Sequence, residues 1–154
     1  MKLNSHIARV LMNLYPPMLA NRIVIKSVSK DFLKVTVKIR KSIWNRNLQG
    51  SIFGGSIFSA ADPFIALMYW QALHQRNIPC EAWLKSATIH YKKPSDTSLL
   101  LIFELNTEQI ESVQKDIETY GRAERNHLVK MLNKQGDVCV EVETLVVLKA
   151  KKNR

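Results

Sequence analysis

Cysteine, glycine and proline are scarce in this sequence of 154 residues. Two cysteines, Cys80 and Cys139, are too few for a disulfide framework and lack the spacing of metal ligands, which favours a reducing compartment. Five glycines and five prolines exclude a collagen-like repeat, and a hydrophobic fraction of 46% excludes a disordered chain. We therefore expect residues 1–154 to form a single globular domain.

Long apolar runs are also missing. The most hydrophobic stretch, residues 63–70, is far shorter than the ~20 residues that a transmembrane helix needs. Asn4, Ser5 and Arg9 stand where a signal peptide would carry an apolar run. The sequence therefore predicts a cytoplasmic protein.

Acidic residues are outnumbered by basic ones. The 23 Lys and Arg residues against 13 Asp and Glu residues leave a formal net charge of +10. This balance predicts an anionic partner, which is a nucleic acid, a membrane surface or a phosphorylated small molecule. Much of the charge lies on alternate positions between residues 22 and 46, which is typical of a solvated strand face, and residues 149–154 are interpreted as a basic, solubilising tail.

Hydrophobic periodicity predicts an α+β architecture with the element order helix, two strands, long helix, two strands, short helix, two strands. Residues 1–20 form a helical extension whose apolar stripe is Ile7, Val10, Leu11 and Leu14. Residues at roughly 55–75 form a helix that is apolar on nearly every face and is therefore buried. An antiparallel sheet of about six strands, with hairpin connections, is the only element that can wrap around it.

Turn and cap signals set several boundaries. Asn106 and Gln109 have the spacing of a capping box, so a short helix is expected near 107–120, and Gly121 stands where a helix ends. Residues 93–96 separate two predicted strands, 82–92 and 98–105. A second turn at residues 134–137 joins the last two strands, 125–133 and 138–148.

The segment from Asn47 to Asp62 has the composition of a reactive site. Gly54 and Gly55 precede the buried helix, where glycine allows close approach of a ligand and the first N–H groups are free. Those donors suit a carbonyl oxygen that gains negative charge during a reaction. Asp62 follows about two turns later among apolar residues, a costly place for a carboxylate unless it is paired or used.

Two interpretations of Asp62 stay open at this stage. It could cap a helix that begins at Pro63, since Asp before Pro is a common helix start. It could instead lie inside one continuous helix as an active-site carboxylate, in which case Pro63 removes the N–H that would bond the Ser59 carbonyl and the helix kinks. The Ser59 hydroxyl could bond Asp62 or the backbone.

The order Asn47, Gly50, Gly54, Gly55, Ala61, Asp62 resembles the motif of hotdog-fold acyl-CoA thioesterases, especially the phenylacetyl-CoA type. The match is closer to a thioesterase-like subgroup with FGGS at residues 53–56 and DPF at 62–64. One position departs from the larger family, whose His before the two glycines is Phe53 here.

This resemblance implies the hotdog fold and hydrolysis of an acyl thioester to an acid and coenzyme A. Asp62 would be the general base or the nucleophile. The N–H of Gly55, with Gly54 beside it, would polarise the thioester carbonyl, and Asn47 would orient the water or the carbonyl in a site shared between two subunits.

Further residues are candidates for binding the substrate. Phe53 and Ser59 would contact it close to the reacting group, and Lys92 and Lys93 would bind the phosphates of coenzyme A as point charges. As strand neighbours the two lysines are expected to point to opposite faces, so at most one would reach a given site.

The resemblance also implies no metal and no cofactor other than the coenzyme A thioester itself. The expected partners are an acyl-CoA or acyl carrier and further copies of the chain, in a homodimer or a dimer of dimers. Two alternatives remain: a hotdog protein that binds acyl-CoA without hydrolysing it, favoured by Phe53, and nucleic-acid binding, favoured by charge alone. The sequence has no recognition motif for nucleic acid and no run long enough to span a membrane. We therefore expect neither nucleic acid nor a membrane as partner.

Overall fold

The computed structural model describes residues 2–151. The helices are α1 (Ser5–Leu14), α2 (Pro16–Ala20), α3 (Gly54–Ala61), α4 (Pro63–Gln75) and α5 (Thr107–Tyr120), and the strands are β1 (Ile23–Val28), β2 (Lys34–Ile39), β3 (Cys80–Tyr91), β4 (Leu99–Glu104), β5 (Arg122–Leu132) and β6 (Val138–Ala150). A 3₁₀ turn spans Ile43–Asn45. The segment interpreted as a basic tail begins within β6, and residues 152–154 lie outside the described residues.

Six antiparallel strands form one sheet in the order β1-β2-β4-β5-β6-β3, which confirms the predicted α+β architecture. The expected hairpin between the third and fourth strands is wrong. β3 crosses to the far edge and pairs with β6 from Cys80 to Tyr91, while β4 pairs with β2 and β5. Length explains this pairing, since β3 has 12 residues and β6 has 13, whereas β4 has only six.

The central helix lies against the sheet in two pieces, α3 and α4. Eight of the 13 residues of α4 are buried, as expected for a helix that is apolar on most faces. Phe64 contacts Phe103 of β4, with 5.0 Å between the ring centroids. This contact and the burial of α4 hold the helix against one face of the sheet.

The amino-terminal extension crosses to the free edge of β1. The side chain of Asn13 accepts from the Ile25 N–H at 2.8 Å and donates to the Ile25 carbonyl at 3.0 Å, so it satisfies both backbone groups of a residue on that edge strand. The Leu3 N–H donates to the Gln71 side chain on α4. α1 is therefore tied to both the sheet and the central helix. Of the helices in residues 2–151, none has the length and apolarity needed to cross a bilayer.

The local signals of α5 are confirmed. Asn106 and Gln109 form both hydrogen bonds of a capping box, each at 2.8 Å. Gly121 ends the helix in the left-handed region with φ of +71°, which glycine adopts without steric cost.

Candidate functional site

A buried asparagine builds the loop that leads into α3. Asn45 donates from its side chain to the carbonyls of Asn21 and Arg40, and its own carbonyl accepts from the Phe53 N–H at 2.7 Å. These three bonds tie both ends of the loop to the body of the protein. No sequence pattern marks Asn45 as functional, because a buried Asn within a polar loop has no periodic signature.

Asn47 organises the tip of the same loop. Its side-chain oxygen accepts from the Ser51 N–H at 3.0 Å, and its amide donates to the Ser51 hydroxyl at 2.8 Å. Gly50 turns the chain with φ of +85°. An amide group has two donors and two lone pairs, so Asn47 keeps one of each for a ligand.

Gly54 and Gly55 open α3 as the sequence predicts. Their N–H groups belong to the first turn and have no partner within the helix, and Phe53 supplies no side-chain cap. A Cβ on Gly55 would lie 2.4 Å from Cε1 of Phe53, so the Phe53 ring lies directly against this glycine. The ring is 56% exposed and thus forms part of the surface beside the free donors.

Tyr91, the last residue of β3, is a functional candidate that the sequence did not predict. A Cβ on Gly54 would lie 2.8 Å from its hydroxyl oxygen, so the Tyr91 hydroxyl lies close to the start of α3. Gly54 and Tyr91 are 37 positions apart in the sequence. Because only the packing of β3 beside α3 brings them together, no local pattern could have indicated the pair.

The start of α3 opens into a cleft of about 740 Å³, called the Gly54 cleft. It is lined by Asn47, Gly54, Tyr91, Lys92, Lys93 and Asp96, among others. The expectation that Lys92 and Lys93 point to opposite faces is wrong, because both line this cleft. β3 ends at Tyr91, and the N–H groups of both lysines then converge on the Cys139 carbonyl, which breaks the strand alternation.

The two lysines already have carboxylate neighbours. The Lys92 ammonium lies 3.4 Å from Glu141, and the Lys93 ammonium lies 3.4 Å from Asp137. Both lysine side chains are solvent-exposed and Glu141 and Asp137 are at least partly exposed, so the pairs are weak and can be exchanged for a stronger anion.

Asp62 does not cap α4. Its backbone is helical (φ −62°, ψ −60°), its N–H donates to the Phe58 carbonyl, and its side chain makes no capping bond. The helical path thus continues through Asp62 and is interrupted only by Pro63, as the second interpretation expects. Within residues 2–151 no cation or hydrogen-bond donor pairs with its carboxylate.

The carboxylate of Asp62 lies at the mouth of a second cavity of about 350 Å³, called the Asp62 cavity. Its other walls are mainly apolar and include Met12, Trp70 and Trp83. Asp62 is exposed to solvent. Desolvation by the surrounding residues nevertheless raises the pKa of its carboxyl group above the usual range of an aspartate. The group therefore has the perturbed ionisation that is common at reactive sites.

Ser59 bonds to the backbone and not to Asp62. Its hydroxyl donates to the Gly55 carbonyl at 2.9 Å, the usual bond of a helical serine to the preceding turn. The sequence left two hydrogen-bond acceptors open for the Ser59 hydroxyl, Asp62 and the backbone, and the structure shows the bond to the backbone.

Five of the predicted site residues line the two cavities, whereas Phe53, Gly55 and Ser59 line neither of them. Asn47, Gly54, Lys92 and Lys93 share the Gly54 cleft, whereas Asp62 lines the other cavity. Asp62 lies about 10 Å from Gly55 along the helix axis at the α-helical rise per residue. In the described part of the chain, no group of three His, Cys, Asp or Glu side chains is arranged to bind a metal ion.

The fold has well-matched relatives among solved structures. A Pseudomonas aeruginosa protein of unknown function, described as a probable thioesterase, has a TM-score of 0.86 at 18% identity and covers 98% of this chain and 99% of its own. The PaaI protein of the Escherichia coli phenylacetic acid degradation operon has a TM-score of 0.60 at 16% identity and covers 95% of this chain and 91% of its own.

A third structure, from Streptococcus mutans, was solved with bound acetyl CoA. It has a TM-score of 0.58 at 16% identity and covers 85% of this chain and 91% of its own. Likeness at these identities shows a shared fold, and the predicted hotdog fold is thereby confirmed.

No curated protein matches the chain. The family model described as "Domain of unknown function (DUF4442)" matches residues 4–148, which is nearly the whole sequence. The chain therefore belongs to the DUF4442 family.

Proposed function

We propose that this protein hydrolyses an acyl thioester, with Asp62 activating the attack and the first N–H groups of α3 stabilising the oxyanion. The observation that carries the proposal is the unpaired carboxylate of Asp62 on the same helical path as the uncapped donors of Gly54 and Gly55. The description of the Pseudomonas relative as a probable thioesterase, and the acetyl CoA bound by the Streptococcus relative, support the same reaction class.

Two copies of the chain are proposed to assemble this site. An oxyanion must lie about 3 Å from its donors and a general base must lie about as close to the attacking water. Asp62 lies about 10 Å along the helix from Gly55, and it lines a different cavity from Gly54, so we propose that each site takes its oxyanion donors from one copy and its carboxylate from another.

The free edge of β3 provides a way to bring the two groups together. β3 is the last strand of the sheet order, so no strand lies beside its other edge within residues 2–151. The Asp62 cavity lies beside Ala82–Leu84 at the start of β3, and the Gly54 cleft lies beside Tyr91 at its end. These points are about 26 Å apart at the rise of a strand. Antiparallel pairing of β3 with a second β3 would bring the Asp62 of one copy to the Gly54 cleft of the other.

The reaction then follows from the chemistry of the groups. The Asp62 carboxylate takes a proton from water while the water oxygen attacks the thioester carbon, or it attacks that carbon itself and the resulting anhydride is hydrolysed. In both routes the carbonyl oxygen becomes an oxyanion beside the N–H groups of Gly54 and Gly55. Its collapse breaks the C–S bond, and the thiolate leaves and takes up a proton.

Lys92 and Lys93 are proposed to bind the phosphates of coenzyme A. Both line the Gly54 cleft, and their present partners are partly or fully exposed carboxylates that a phosphate can displace. The thioester end of the ligand would then extend along the cleft toward α3.

A panel of acyl-CoAs of different chain length, with release of free thiol as the readout, tests the proposal. Hydrolysis of at least one member supports it. Saturable binding of acyl-CoA with no hydrolysis of any member would overturn it in favour of the second candidate, a hotdog protein that binds acyl-CoA without turnover. The contact between the Phe53 ring and Gly55 favours that candidate, because the ring can cover the donors.

Tyr91→Phe should lower kcat by about tenfold to a hundredfold with KM little changed. We infer that the hydroxyl donates to the oxyanion beside Gly54, and hydrogen bonds to charged groups are worth enough for such a loss. Steady-state kinetics on the best substrate of the panel measure it. The matched control is Tyr120→Phe, which removes the hydroxyl of an exposed tyrosine on α5. A kcat equal to that of the unmodified protein would contradict the role of Tyr91.

Hydrolysis should decline toward acid pH, with an apparent pKa above the usual range of an aspartate. The reaction uses the ionised carboxylate, and burial raises the pKa of Asp62. Since the folded-state pKa is raised, the protonated form is favoured by folding, and this contribution is lost as pH rises through that pKa. The pH profile of kcat/KM reports the value. An acid limb in the ordinary aspartate range would contradict the assignment.

A further inference from the structure

The apolar stripe that predicts α1 faces outward. Ile7, Val10, Leu11 and Leu14 are between 42% and 64% exposed. Only Ala8 of this helix is buried, and Met12 beside it packs partly against the core. Helices on a globular domain normally turn their apolar face inward, so α1 presents the opposite orientation.

Specific contacts keep α1 in this orientation. Asn13 makes its two hydrogen bonds to Ile25, and the Arg9 guanidinium donates to the Lys26 carbonyl. Tyr15 and Leu19, each 52% exposed, follow in the chain. We call the set Ile7, Val10, Leu11, Leu14, Tyr15 and Leu19 the α1 surface.

Arg9 is the one charged residue within residues 5–20, and the chain on both sides of this segment adds further basic residues. Residues 1–30 contain five Lys and Arg residues and no Asp or Glu, these five being Lys2, Arg9, Arg22, Lys26 and Lys30. The Asp62 carboxylate lines a cavity together with Met12, which lies on the inner face of α1. Of the five basic residues, Arg9 and Lys26 lie together where α1 meets β1, so the α1 surface has exposed apolar side chains with positive charge beside them.

We propose that the α1 surface docks this protein on an anionic lipid bilayer, with α1 lying flat in the interface. An exposed apolar stripe with basic residues around it is the arrangement of interfacial helices, whose apolar side chains enter the acyl boundary while the cations meet anionic headgroups. A second copy of the chain fits the surface less well, because a two-fold contact would place basic residues against the same basic residues. The proposal departs from the expectation that the protein has no membrane partner. That expectation was based on the lack of a membrane-spanning segment and did not concern docking on a membrane surface.

Cosedimentation of the full chain with vesicles tests the proposal. Vesicles of equal parts phosphatidylcholine and phosphatidylglycerol should bind the protein, whereas vesicles of phosphatidylcholine alone should bind it at least about tenfold more weakly. Leu11→Gln with Leu14→Gln should weaken binding to the anionic vesicles by at least about tenfold, since it removes the apolar part of the surface. Lys26→Gln with Lys30→Gln should weaken it and reduce its salt dependence.

The matched control is Tyr120→Gln with Leu128→Gln, which changes two exposed apolar residues elsewhere on the protein and should leave vesicle binding unchanged. Three results would overturn the proposal. They are failure of the protein to bind anionic vesicles, undiminished binding by the Leu11/Leu14 variant, and a lower molar mass of that variant by light scattering. The last result would show that the α1 surface is instead a contact between copies of the chain.

Discussion

Asp62→Asn should lower kcat for thioester hydrolysis by about 10²- to 10⁴-fold, the range for loss of a general base, and by more if Asp62 is the nucleophile. The change is nearly isosteric and removes the only function assigned to the carboxylate. Stability at neutral pH should be equal to or above that of the unmodified protein, because desolvation by the surrounding residues disfavours the ionised Asp62 and no partner offsets this cost. Thiol release and urea unfolding on the same preparations measure both effects.

Asp116→Asn is the matched control for Asp62→Asn, because it makes the same substitution at a carboxylate on α5 that pairs with Arg125 and lines neither cavity. Its kcat should stay within a few-fold of the unmodified protein. Undiminished hydrolysis by Asp62→Asn would contradict the mechanism.

A mixing experiment tests whether the site is shared between copies. Gly55→Ala places a methyl group against the Phe53 ring and disturbs the oxyanion donors. If each site combines Gly55 of one copy with Asp62 of the other, a mixed dimer of one Gly55→Ala chain and one Asp62→Asn chain holds one intact site. Random exchange of equal amounts should then restore about a quarter of the unmodified activity. No recovery after verified exchange would place both groups in one chain.

Phe64→Ala should lower the free energy of unfolding by about 3–5 kcal/mol, the usual cost of truncating a buried phenylalanine. Phe64 is 1% exposed, and its ring contacts Phe103 of β4 across the interface between the central helix and the sheet. The cavity left by the substitution cannot fill without moving the start of α4 beside Pro63. Urea unfolding followed by circular dichroism measures the loss.

Phe58→Ala controls for the loss of aromatic surface in general. Phe58 lies on α3 and is 41% exposed, so its removal should cost less than about 1 kcal/mol. Equal losses of unfolding free energy for Phe64→Ala and Phe58→Ala would show that the contact between Phe64 and Phe103 does not anchor the central helix.

Several elements are determined locally and could be predicted from the sequence. The capping box of Asn106 and Gln109 and the glycine at 121 set the ends of α5, because these hydrogen bonds and the left-handed φ involve only neighbours in the chain. Gly54 and Gly55 mark the start of α3 for the same reason, and Pro63 marks its interruption, since proline lacks the N–H that a helix needs. The length of the apolar run and its lack of strand alternation were sufficient for the central helix, and alternation with turn signals was sufficient for the number of strands.

The tertiary structure alone determined which elements meet. The short turn after Lys93 suggested a hairpin, but β3 pairs with β6 because the longer strand satisfies more backbone groups, a comparison that no local pattern contains. The same crossing brings Tyr91 to Gly54. The contacts of Asn13 with β1 turn the stripe of α1 outward, although its spacing equally suits a buried face. Sequence periodicity shows that a face is apolar, but long-range contacts decide what that face meets.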